Sequence, residues 1–124
     1  MSAPLDIFGR LVMEKLRDKA FRDADLKLQG HWKAPSLLKL QSELAKLSDE
    51  QRDLARRLVR SVVDSAIHDF LFALQELNDF DQSVQVLVRG ENAAAKSDGL
   101  HGEPFGDQGW QARFSQYGQA PAEA

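Results

Sequence analysis

The chain has 124 residues, a formal net charge of −3 and no cysteine. That length suits one domain with a hydrophobic core of its own, and the missing cysteines exclude disulfides, thiolate zinc sites and cysteine nucleophiles together. Threonine is also absent, and leucine and alanine far outnumber isoleucine, a balance that favours helix over sheet.

Pro4 to about Arg22 reads as a first helix, with Leu5, Phe8, Leu11, Val12, Leu16 and Ala20 on one side. Its interior Gly9 costs about 1 kcal/mol relative to alanine, which points to close backbone packing or a frayed first turn. Asp23 to Ala34 reads as a connector, pinned to the core by Trp32. Pro35 then suits a first helical position, and Leu37, Leu40, Leu44 and Leu47 follow the pattern of a short second helix.

The longest patterned stretch runs from Ser48 to Phe80. Ser48 with Gln51 forms a capping box, and Asp49, Glu50 and Asp53 place negative charge at the positive end of the helix dipole. From Leu54 onward Val59, Val62, Val63, Ala66, Phe70, Ala73, Leu74, Leu77 and Phe80 fall in one arc, widened by Leu58 and Ile67. The arc is too broad for a two-stranded seam and predicts a core-facing spine. A continuous helix of this span is roughly 50 Å long, whereas a compact domain of this size is roughly 35–40 Å across. The spine is therefore expected to bend or end near Asn78, or else to project and meet a second chain as a structural homodimer.

Val84, Val86 and Val88 then alternate with Gln85, Leu87 and Arg89 as in a strand. Glycines at 90, 99, 102, 106 and 109 punctuate a loop, and Trp110 to Tyr117 reads as a second strand, with a short helix as the alternative. The predicted fold is mainly α (α+β): an antiparallel helical bundle around one long central helix, with a small C-terminal two-stranded β element. One domain over 1–117 precedes a disordered tail, 118–124.

No basic region precedes an apolar run at Met1–Asp6, and no stretch approaches bilayer length, so a cytoplasmic protein without a membrane partner is expected. Charge is unevenly spread. Residues 1–47 hold nine Lys/Arg against six Asp/Glu, and residues 48–81 hold four against eight. Nucleic acid is not an expected partner, because phosphate binding needs clustered cations, and the one cluster, Arg56, Arg57 and Arg60, faces nearby acids.

Asp64 and His68 stand four apart on one helical face. A carboxylate there could orient the imidazole as a general base or share a metal with it, and a surface pair helped by Arg60 is the simpler reading. Asp69, at the border of the apolar arc, is expected to be partly buried and to anchor the glycine-rich loop. His101 and Glu103 in that loop could join Asp64 and His68 if the loop folds back over the helix. The sequence has no H-E-x-x-H, Glu-x-x-His pair, calcium loop, G-x-S-x-G or phosphate loop, so no cofactor, metal or catalytic residue is expected.

These residues predict a non-enzymatic module that binds another, basic protein through an acidic and aromatic surface. That surface is Arg57, Ser61, Asp64, His68, Phe72 and Gln75 from the spine with His101, Glu103, Phe105 and Asp107 from the loop. Small, acidic, cysteine-free composition is compatible with an immunity or inhibitor role. The alternative is a small metal-assisted or acid–base enzyme using Asp64, His68, Asp69, His101 and Glu103.

Overall fold

A computed structural model of the protein describes residues 3–121. The fold is mainly helical, an antiparallel bundle around one long central helix with a small two-stranded sheet on its C-terminal side. The elements in order are helix α1 (Pro4–Val12), a π segment (Met13–Arg17), α2 (Asp18–Leu28), α3 (Pro35–Leu44), α4 (Asp49–Glu76), a π turn (Leu77–Asp81), β1 (Leu87–Val88), β2 (Glu91–Asn92), two 3-10 turns (Ala94–Lys96 and Leu100–Gly102) and α5 (Trp110–Phe114).

The first helix runs on past Arg22 to Leu28 through its π segment. One extra residue per turn at Met13–Arg17 rotates everything after it. The buried row becomes Val12, Met13, Arg17, Phe21 and Leu28, while Leu11 and Leu16, expected inside, are exposed. Gly9 is where α1 meets α5: a Cβ there would lie 2.4 Å from the Trp110 indole, which is wholly buried. Trp32 is more than a third exposed, so it does not pin the connector. That task falls to Gln41, whose amide accepts from the Trp32 N–H at 3.0 Å and donates to its carbonyl at 2.8 Å.

Helix α4 starts at the capping box: the Gln51 N–H donates to Ser48 Oγ at 3.2 Å, and the Ser48 N–H donates to the Gln51 side chain at 2.9 Å. It stays α-helical for 28 residues, about 42 Å, and its final π turn is closed by Gln82 in the left-handed region, φ 60°. Its inward face differs from the predicted arc. Ile67 and Leu74 of that arc are buried, as expected, and are joined by Leu71 and Gln75, whereas Leu54, Leu58, Val62, Phe70 and Phe80 are exposed. The buried stripe lies about a third of a turn from the arc, because Asp64 and Gln75 find partners inside the fold.

The core comprises Val12, Met13, Ile67, Leu71, Leu74, Ala94, Leu100 and Trp110. In the sheet, Leu87 pairs with Asn92 and Val88 with Glu91, around a turn whose central residues Arg89 and Gly90 both have positive φ, as a type I′ hairpin requires. Trp110–Phe114 is the short helix, not a second strand. Of the expected tail, Gly118 and Ala120 are tied down: Gly118 accepts from Arg17 at 2.7 Å and Ala120 donates to Gln111 at 3.0 Å. Residues 122–124 lie outside the described residues, as do Met1 and Ser2 at the start of the chain. No described helix is long and apolar enough to cross a membrane.

Candidate functional site

Helix α4 and the segment after the hairpin build the site together. Gln75 fixes their relation, accepting the Leu100 N–H at 2.8 Å and donating to the Ala94 carbonyl at 3.3 Å. The loop is also tied to itself. Ser97 donates to Glu103 at 2.8 Å and accepts the Gly99 N–H at 3.0 Å, and the Trp110 and Gln111 N–H groups bond the Glu103 and Pro104 carbonyls. A glycine-rich segment is thereby held with little freedom, since its backbone groups are satisfied.

The clamp lays His101 over the spine. Its ring meets Phe72 edge-on at 4.9 Å and His68 at 5.5 Å, and Phe105 lies 6.2 Å from His68. These are ordinary distances for interacting rings. His68 Nδ1 is 3.0 Å from the Asp69 carboxylate, within hydrogen-bond distance. Beside the ring cluster runs an open groove of about 550 Å³, lined by Arg57, Ser61, Asp64, His68, Asp69 and Phe105 and bordered by Ala120 and Pro121.

Arg57, Ser61, Asp64, His68 and Phe105 thus converge as a groove, with Phe72 and His101 adjoining through the rings. The other expected site residues go elsewhere. Gln75 is 7% exposed and committed to the loop. Glu103 is turned to Ser97, and Asp107 is exposed, 3.5 Å from the Gln119 amide. Asp69 is 79% exposed and does not anchor the loop, a role that belongs to Gln75. Asp64 is not the partner of His68: both its oxygens take Arg17, at 2.7 and 3.2 Å.

Arg17 is the residue that sequence reasoning missed. Only 2% exposed, it also donates to Ser115 Oγ at 2.8 Å and to the Gly118 carbonyl, and stacks over Phe21 at 4.6 Å. Asp18 next to it accepts from Ser115 Oγ at 2.5 Å and from the Gln116 N–H at 3.0 Å. The signal lay in spacing: Arg17 falls midway between Met13 and Phe21 in the i, i+4 row that is buried.

Chemically, the groove offers the exposed carboxylate of Asp69, two arginines, Arg57 and Arg60, the His68 imidazole and the Phe105 ring. Among the described residues no group of three His, Cys, Asp or Glu side chains could hold a metal ion. No family model matches the sequence, and no curated protein and no solved structure matches it either.

Proposed function

We propose that the chain is a non-enzymatic interaction module that grips another protein at the His68, Phe72, His101 and Phe105 cluster and its adjoining groove. One observation carries the reading. Phe72 and Phe105, 43% and 44% exposed, are held on a hydrogen-bonded scaffold rather than on a free loop, so little side-chain freedom is lost when they are covered. Rigid aromatic anchors beside a polar rim are the usual composition of an interface centre.

Asp69, exposed in the groove wall, favours a basic partner and would speed its approach. A reducing cytoplasm suits a chain without cysteine, and an immunity or inhibitor role is a natural use of such a surface. Asp64 is excluded as a probe, because replacing it would strip Arg17 of its counter-ion.

The test is affinity capture with the full chain, followed by titration of the captured partner against Phe72→Ala/Phe105→Ala, Asp69→Lys and a distant control, Leu38→Ala. The aromatic double variant should weaken binding roughly 100-fold. Asp69→Lys should slow association, most clearly at low salt. A partner held equally by all variants would remove this surface from the account.

A further inference from the structure

We infer that the exposed face of α4 is a self-complementary seam on which a second copy of this chain packs antiparallel, about a two-fold axis at Ala66. The face carries Val62, Phe70 and Phe80 at 58%, 61% and 85% exposure, with Leu54 and Leu58 at its margin at 60% and 64%. Ala66 and Ala73 between them are exposed as well. Among the described residues none buries these side chains, and they lie apart from the aromatic groove.

The spacing is what selects a second copy. Along the middle of this side of α4 apolar residues stand at 55, 59, 62, 66, 70, 73 and 77, with Ala55, Val59 and Leu77 half-buried, in steps of four, three, four, four, three and four. The order is the same in either direction from Ala66. Turning one helix over about that residue sets Val62 against Phe70, Val59 against Ala73 and Ala55 against Leu77, each larger residue facing a smaller one. A symmetric pair of helices needs a surface that complements itself in this way. A partner helix of unrelated sequence places no such demand on α4.

Charge fixes the direction. Residues 61–81 carry Asp64, Asp69, Glu76, Asp79 and Asp81 and no Lys or Arg, whereas residues 48–60 carry Arg52, Arg56, Arg57 and Arg60 against Asp49, Glu50 and Asp53, a net positive charge. Parallel pairing would set acids against acids. Antiparallel pairing sets them over the weakly positive half, with Glu76 of one copy opposite Arg56 of the other and Phe80 opposite position 52. Area agrees with this. At roughly 150–250 Å² for a large side chain, Leu54, Leu58, Val62, Phe70 and Phe80 leave roughly 600 Å² in water, near the ~800 Å² that each partner of a standard interface buries.

The test uses the full chain in light scattering over a concentration series, with circular dichroism to verify that each variant is folded. The expected species has twice the 13.9 kDa chain mass. Val62→Lys and Phe70→Glu should each raise the dissociation constant roughly 100-fold. The chain carrying both should dimerise again, because position 62 of each copy then meets position 70 of the other with opposite charge. In a parallel pair the double variant sets lysine on lysine and glutamate on glutamate, and it would stay monomeric.

A wild-type monomer at millimolar concentration would overturn the inference. So would a dimer indifferent to both single changes, or a double variant that fails to reassociate. A heteromer seated on this face with another protein, lost in the single variants while the free chain stays monomeric, would overturn it too. Phe72 and Phe105 are untouched throughout, so this result and the capture result above fail independently.

Discussion

Arg17 joins three segments through one side chain. Its guanidinium takes both oxygens of Asp64 on α4, the hydroxyl of Ser115 and the carbonyl of Gly118, so all its polar edges are used at 2% exposure. Removing one member of such a pair leaves an uncompensated charge indoors, which costs far more than replacing both. Arg17→Met should therefore destabilise the fold by about 3–5 kcal/mol, and Arg17→Met/Asp64→Leu by clearly less, in urea denaturation. Equal losses in the two variants would show that the pair itself contributes little. Neither residue announces this role. Asp64 looks like a surface acid because Arg60, Ser61 and His68 are its neighbours one turn away on the helix, and its partner stands 47 positions away.

Helices were the most legible elements, where they are decided locally. The Ser48 box and the acids behind it fix the start of α4 within four residues, and the structure begins the helix there. Faces were less legible, since which side turns inward depends on what other segments bring to it. Gln75 and Asp64 draw the polar side of α4 inward, and the π segment at Met13–Arg17 shifts the first helix out of a regular 3.6 period. The hairpin was partly hidden because its turn uses Arg89-Gly90, where Asn-Gly is the recognised signal. Gly9 was legible as a close approach, and the approach proves to be Trp110. Gly9→Ala gains about 1 kcal/mol of helix propensity, yet its methyl meets the indole, and overpacking costs about 1–3 kcal/mol. The variant should melt lower than wild type, and the same change in a Trp110→Leu background should be neutral or stabilising. A loss of equal size in both backgrounds would place the constraint elsewhere than at the indole.

Across the whole molecule, buried polar side chains do what no apolar pattern records: they fasten irregular segments to helices. Gln41 holds the connector, Gln75 the loop, and Gln111, Arg17 and Asp18 the residues from Ser115 to Ala120. This explains why the candidate groove was half legible. Its spine residues share a helical face that sequence spacing defines, whereas the border at Ala120 and Pro121 depends on contacts made by residues expected to be a loose tail. Ending the chain after Phe114 should lower stability by at least about 2 kcal/mol, because hydrogen bonds to charged groups are lost together. Adding Arg17→Met to the shortened chain should cost less than it does in the full one, in paired thermal melts. Additive losses would mean that the terminal segment and Arg17 act separately.

The separation between Arg17 and Ser115 is 98 positions, and it has a meaning in time. At about 5–20 residues per second a ribosome needs roughly 5–20 s to travel between them, far longer than helices take to form. For the last roughly 2–8 s of it, after Glu76 has been added, the first helix and the spine are both synthesised while the guanidinium still lacks its hydroxyl and carbonyl acceptors. Closure of the charge site is thus a late event of biosynthesis. The nascent chain passes through a stage in which its two longest helices meet around an arginine that still depends on water.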